Sequence, residues 1–491
     1  VSKKKRITIP EGEFGPRDFY IRSRSAEEMV ENSNDSRPTD EELRKSIAAA
    51  EGNAEEREEP EAEEAPQESA EPVVSTVSTP VPPVVEAPPT PSSTPATAAP
   101  EVSVVEVPNV AAAVSPQAHQ QAAKQVVVND EHGYDVAFNM AFLGAGQGGG
   151  RLAAAFYPLG YRRIACVNTT DTDFEGLREE IHRHSLDVGG AAKDAQFAAD
   201  SLEGREEEVW DLLQRSWGND VEYGLICAGL GGGTGSGLSP KLVEIARQYM
   251  ESKGKSPRVG VILSLPETGE GQQVCRNALQ SLKKLLDARV SPIILVDNHQ
   301  VRQLYKPGFL SVHSTINNIV AQLFHIFNQL SAVHSPFVTF DRSEFAQLLD
   351  HGIVVMGASS LEPQQITSPA DISAAIRDQL SNSVLAKVDL RKGKKGVVLF
   401  VGDLETLDQL SMDFFDAGFT QMSRTLGSAL EGADTVVHRG VYPGSAPGLQ
   451  VYAMISELQA PVEKLAEMAK EAAMDKAVLE SSVAKFLGVD G

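Results

Sequence analysis

The chain has little cysteine, little aromatic surface, a deficit of basic charge and no long apolar run. Three cysteines occur in 491 residues, Cys166, Cys227 and Cys275, each inside an apolar or helical stretch and without metal-ligand spacing. They read as reduced core residues of a cytoplasmic protein. Nowhere are about 18 apolar residues consecutive, so no transmembrane helix is expected. Lysine and arginine total 44 against 68 aspartates and glutamates, a net charge of −24. A broad basic surface for nucleic acid is therefore not expected. Lys3-Lys4-Lys5-Arg6 is followed by no apolar segment and does not read as a secretory signal.

Length allows two or three domains, and composition divides them. Residues 1–130 hold 16 of the 28 prolines, with 24 acidic against 12 basic residues. Such a stretch buries too little apolar area to offset its chain entropy, which predicts a disordered acidic, Pro-rich arm. A short helix over Thr39–Ala50 could be capped by Thr39 or Asp40. The aromatic and basic opening reads as a solvated tail, with a docking peptide as the alternative.

Glycine, by contrast, is concentrated. The apolar run Gly224–Leu230 predicts a buried strand, and the spacing of Leu238, Leu242, Ile245 and Ala246 predicts a helix over Leu238–Tyr249. Between them lies Gly231-Gly232-Gly233-Thr234-Gly235-Ser236-Gly237. Glycines let successive N–H groups turn inward, and a following helix adds partial positive charge, a combination that holds phosphate. A second glycine loop, Gly144-Ala145-Gly146-Gln147-Gly148-Gly149-Gly150, sits between a strand over Val136–Leu143 and a helix over Arg151–Tyr157. Alone it fits a dinucleotide-binding unit equally well, with Asp171 after the next strand (Arg163–Val167) as the acidic partner. Two such loops favour a nucleoside triphosphate, with an NAD-dependent enzyme as a rival.

Taken together, the string from Gly231 to Gly237 and the order of elements over Tyr134–Leu458 resemble the tubulin/FtsZ superfamily of polymerising GTPases. The resemblance implies an α/β fold: a Rossmann-like GTPase domain joined by a central helix to a smaller α/β activation domain. It implies boundaries at 131–311 for the GTP-binding domain, 312–334 for the central helix, 335–458 for the activation domain and 459–491 for a C-terminal amphipathic helix and tail. GTP and Mg²⁺ are the implied ligands. Gly144 to Gly149, Asn168, Thr169, Gly189, Gly190, and Gly231 to Ser236 (Gly232, Gly233, Thr234 and Gly235 between them) are the implied phosphate-side residues. Glu270 would face the ribose, and Asn298 matches the nucleotide-binding asparagine that follows the next strand in the family, while Asn317 would read the guanine edge and His313 would stack on the base. Asp341 and Glu344 resemble the acidic loop that completes the active site of a neighbouring subunit; from spacing alone, Asp341 or Ser343 is a helix N-cap before Glu344. A β-branched residue at Gly232 or Gly233 is expected to abolish GTP binding while the ordered fold largely survives.

The implied function is a GTP-hydrolysing cytoskeletal protein assembling head to tail with itself. The alternative is a non-hydrolysing GTP-binding scaffold that recruits an adaptor protein through the arm or the C-terminal helix. The remaining patterns predict a helix over Leu202–Ser216, a final strand pair, Thr435–Tyr442 with Leu449–Ile455, around Pro443-Gly444, and an amphipathic helix over Val462–Leu487.

Overall fold

Met140–Ala145 and Tyr223–Gly229 are apolar along their whole length instead of alternating, the pattern of strands covered on both faces. In the computed structural model they are β1 and β4, side by side and parallel, every residue of β1 buried. The structure describes residues 136–305, 312–427 and 434–473. The predicted arm over 1–130 and the end of the predicted C-terminal helix lie outside those residues.

Ten strands form one sheet in the order β3-β2-β1-β4-β5-β6-β7-β10-β8-β9. Besides β1 and β4, these are β2 (Ile164–Asn168), β3 (His182–Ser185), β5 (Val259–Leu265), β6 (Ile293–Asp297), β7 (Ile353–Leu361), β8 (Lys395–Gly402), β9 (Val436–Pro443) and β10 (Leu449–Leu458). β1 to β6 are parallel throughout, whereas β10 runs antiparallel to both β7 and β8. A single residue pair, Ile293 with Ile353, joins β6 to β7. The central helix, Val312–Leu330, carries the chain from the parallel half to the mixed half, as the fold class implied.

The helices that matter for the site are α1 (Gly146–Ala154), α2 (Ala195–Asp200), α3 (Glu206–Ser216), α4 (Gly233–Ser252), α5 (Gln272–Asp287), α6 (Asn298–Tyr305), α7 (Val312–Leu330) and α8 (Arg342–Leu349). Beyond them come α9 (Pro369–Ser381), α10 (Leu404–Gln409), α11 (Met412–Thr425) and α12 (Val462–Glu471). From β1 the chain crosses through α1 to β2 on one side; from β4 it crosses through α4 to β5 on the other. Right-handed crossovers in opposite directions put α1 and α4 on opposite faces. The carboxyl ends of β1 and β4 are therefore the switch point of the sheet, where α/β folds open a crevice.

Three expectations change. The predicted helix over Leu202–Ser216 starts only at Glu206, and a separate helix, α2, precedes it with Asp194 as its cap. The predicted final strand pair does not form: β9 pairs with β8, while both edges of β10 are taken by β7 and β8. Exposure explains it. β10 is buried along nearly its whole length and occupies an interior position, whereas β9 exposes Val436 and Arg439 and serves as the sheet edge. Finally, α12 ends at Glu471, with Ala472 as its C-cap and a left-handed turn at Ala473 (φ 50°), short of the predicted Leu487.

Candidate functional site

Both glycine-rich segments are less loop and more helix than their composition suggests. α1 begins at Gly146 and α4 at Gly233, inside the runs, instead of at Arg151 and Leu238. Close packing explains why glycine is needed there. A Cβ on Gly149 would lie 2.1 Å from the Cys227 carbonyl oxygen on β4, and one on Gly235 would lie 2.4 Å from that of Gly229. Helix starts crowded this closely against strand ends admit no side chain. Neither helix has a side chain capping its first turn. Their free N–H groups therefore face the crevice with the positive ends of both helix dipoles.

The recess between them measures about 470 Å³ and is lined by Ala145 to Gly148, Thr169, Gly190, Gly231 to Gly235, Glu270 and Asn298. That volume is in the range of small-ligand sites. Gly231 makes the turn before α4 with φ of 128°, and its N–H donates to the Ser236 hydroxyl at 2.9 Å. The Thr169 and Thr234 hydroxyls, from the two halves of the crevice, are hydrogen-bonded at 2.8 Å. Asn168 is fully buried: its Oδ1 accepts from the Thr169 N–H at 2.8 Å, and its Nδ2 donates to Asp173 at 3.2 Å. Asn168, Gly144, Gly149, Gly189 and Ser236 thus stand behind or beside the lining instead of on it.

Thr170, Asp173 and Ser264 on the lining were not named as contacts from sequence, whereas Ala191-Ala192-Lys193 continue the Gly189-Gly190 loop that the resemblance puts near the phosphates. Lys193 is the one cationic side chain on the lining described here. It follows directly on Gly189-Gly190, so the signal was present in the sequence. Asp187, Ala192 and Lys193 all have left-handed backbones, with φ of 51°, 45° and 65°. Non-glycine residues hold such angles only where surrounding structure fixes them. Part of that fixing comes from Asn277 on α5, buried, whose Nδ2 donates to the Lys193 carbonyl at 2.7 Å and the Gly231 carbonyl at 3.2 Å. One side chain thereby ties both loops together. Its sequence signal is a polar residue on the apolar face of an amphipathic helix, flanked by buried Val274, Cys275 and Ala278.

His313 and Asn317 do not enter this recess. They line a second one, of about 550 Å³, together with Arg151, Ala155, Glu175 and Arg178. The two recesses share α1 and the segment from Thr170 to Arg178 as walls. Asp341 and Glu344 are elsewhere. Asp341 caps α8, its Oδ1 accepting from the Ser343 and Glu344 N–H groups at 2.7 and 2.9 Å, and Glu344 closes the capping box. The Ser343 hydroxyl, followed by those N–H groups, holds the Asp341 carboxyl below its usual range. Glu344 accepts from the Asp341 N–H through Oε2 and is paired with His438 through Oε1. α8 sits at the amino ends of β1 and β4: Arg342 pairs with Glu222 and lies over the Phe138 ring, and Tyr223 donates to Asp350. β4 is seven residues long, so at ~3.3 Å per residue roughly 20 Å of strand separates α8 from the recess.

Among the described residues no group of three or more His, Cys, Asp or Glu side chains is disposed to hold a metal ion. The recess offers two carboxylates, Asp173 and Glu270. That donor set fits Mg²⁺ carried largely by phosphate oxygens and water, which is how this ion is usually bound. The three cysteines are buried and unbridged, and burial pushes the Cys166 thiol up to about 12.

Residues 139–306 match the Tubulin/FtsZ family, GTPase domain. The chain carries a tubulin/FtsZ-family domain. Over 299 residues it is 25% identical to the tubulin-like protein TubZ of Bacillus cereus, covering 54% of this chain and 66% of that protein, just under two thirds of its length. It is 25% identical over 321 residues to the tubulin-like protein CetZ of Methanothrix thermoacetophila, covering 60% and 83%. Among solved structures, a GTPγS-form protofilament of TubZ from Bacillus thuringiensis serovar israelensis superposes with a TM-score of 0.59 at 17% identity, covering 75% of this chain and 98% of that one. At that identity the likeness shows the tubulin/FtsZ fold.

Proposed function

We propose that this chain binds GTP in the glycine-lined recess and hydrolyses it when a second copy stacks head to tail on the first. The free N–H groups of α1 and α4, with Lys193, would hold the phosphates; Glu270 and Asn298 would face the ribose; Asn317 and His313 in the adjoining recess would meet the base. An amide such as Asn317 offers guanine both a donor and an acceptor. Mg²⁺, when bound, would neutralise charge building on the phosphate oxygens. We propose the domain division 131–311, 312–334 and 335–458, which is supported by the passage from the parallel to the mixed half of the sheet, with α12 (Val462–Glu471) inside a last segment, 459–491.

The observation that carries the reading is polarity: glycine-rich backbone lining the recess gathers at the carboxyl ends of the strands, and Asp341 stands at their amino ends. Within one copy these cannot meet. In a head-to-tail stack the amino-end face of one copy covers the recess of the next. The depressed Asp341 carboxyl is a weak base, so its role is to orient the attacking water. GTP turnover should rise faster than linearly with protein concentration, and Asp341→Ala should lose ~10²-fold or more in rate while still binding GTP. Turnover strictly proportional to concentration, or undiminished in Asp341→Ala, would overturn the reading. One observation favours the scaffold alternative, in which GTP is held without turnover: both oxygens of Glu344 are already engaged within its own chain.

A further inference from the structure

α12 follows β10 and lies along α5, yet its polar contacts go to the rim of the recess. Lys464 Nζ is 2.9 Å from Asp297 Oδ1, and both residues are buried. Asp297 ends β6, and the next residue is Asn298, on the recess lining. Seven positions after Lys464, and so on the same helix face, the Glu471 carboxylate accepts from the Gly269 N–H at 2.9 and 3.1 Å and from the Gly271 N–H at 2.7 Å. Between those glycines is Glu270, also on the lining. The Ala472 carbonyl then accepts from Gln272 at 3.2 Å and Arg276 at 3.4 Å.

The segment from Glu267 to Gly271 has little else to hold it. Gly269 and Gly271 have φ of 94° and 105°, and a Cβ on either would meet nothing within 4 Å. Packing therefore does not fix the loop, and glycine backbones are the least restrained of all. Inside the loop, Glu270 Oε1 accepts from the Glu267 N–H at 2.7 Å, and Arg302 pairs with Glu267 from α6. The two glycine N–H groups converge on one carboxylate in the manner of an anion nest, and they hold that carboxyl below its usual range.

We propose that α12 is a strap that fixes the sugar-side wall of the recess, with Lys464 and Glu471 as positioning residues for Asn298 and Glu270. When the strap lifts, that wall loosens and bound nucleotide escapes faster. The proposal rests on the recess being the GTP site, although the strap itself does not.

Two measurements on the full chain separate the two ideas. In nucleotide-free protein, Glu471→Ala should speed hydrogen exchange at the Gly269 and Gly271 amides; unchanged exchange overturns the strap whatever the recess binds. With a fluorescent GDP analogue loaded and chased by excess GDP, Glu471→Ala should release it about tenfold faster, the scale of one lost charge-assisted hydrogen bond. Glu471→Gln, which keeps one acceptor oxygen, should recover part of the slow release, an order that a general loss of stability would not produce. Release from Glu471→Ala at the wild-type rate, or identical release from the Gln and Ala variants, overturns the positioning role. Failure of the wild type to take up any guanine nucleotide, with the exchange result intact, overturns the GTP reading and leaves the strap.

Discussion

Gly232 and Gly233 are neighbours with opposite needs. Gly232 has φ of −68° and ψ of 166°, which any residue adopts, and a Cβ there would meet nothing within 4 Å. At Gly233 a Cβ would lie 2.6 Å from the Ala191 Cβ and 2.9 Å from the Asp194 backbone nitrogen. The expectation that both could be replaced without cost to the fold therefore holds only for Gly232. Gly232→Ala should keep its urea midpoint, so any loss of GTP binding it shows is a clash with ligand. Gly233→Val should lose about 1–3 kcal/mol through overpacking and displace the 191–194 segment as well. Equal stabilities for the two variants would contradict this packing. The glycine pattern made the strand-to-helix junction at the crevice legible from sequence, because a run of glycines there lets backbone pack closely and turn. Which glycine serves backbone turning and which serves close approach depends on contacts from residues about 40 positions away, which no local pattern records.

At the scale of elements, α5 does more than cover the sheet. Its apolar face was readable, but the role of Asn277 was not, since it depends on two loops from distant parts of the chain. Replacing that side chain by alanine would leave the Lys193 and Gly231 carbonyls short of a donor. Asn277→Ala is expected to cost about 1–3 kcal/mol in denaturant unfolding and to weaken nucleotide binding in titration, although Asn277 does not line the recess. A variant that loses stability but binds nucleotide as tightly as wild type would reduce the residue to a core support. The missed order of β8, β9 and β10 has a similar origin. Pro443-Gly444 carries the local signature of a tight turn, but pairing is decided by which strand can be buried on both edges, and only β10 can.

Across the whole molecule, unfolding should carry the mark of one buried imidazole. His325 lies in α7, fully buried, its Nδ1 3.1 Å from the Tyr161 hydroxyl, and burial lowers its pKa from 6.5 to about 4. The unfolded chain takes up this proton below about pH 6.5 and the folded chain only near 4. Its stabilising contribution is thus complete above pH 6.5 and is lost as pH falls toward 4, an effect of about 3 kcal/mol. His184, also held down by burial, adds to the same trend. His325→Gln should flatten the fall of the unfolding midpoint between those pH values; an unchanged slope would place the acid sensitivity elsewhere. Most of the parallel half was legible because β1, β2, β4, β5 and β6 are largely apolar and its crossovers must be right-handed, whereas the polar edge strand β3, His-Arg-His-Ser, gave no such signal. The docking of α12 was not, because it joins residues 200 and 202 positions apart. That distance has a consequence in time. At about 5–20 residues per second, a ribosome makes Glu471 roughly 10–40 s after Gly269. A nascent chain therefore completes its glycine loops well before α12 is made. If the proposed strap and GTP site hold, an unfinished copy should retain nucleotide less well than the released protein, and should join any head-to-tail stack only after release.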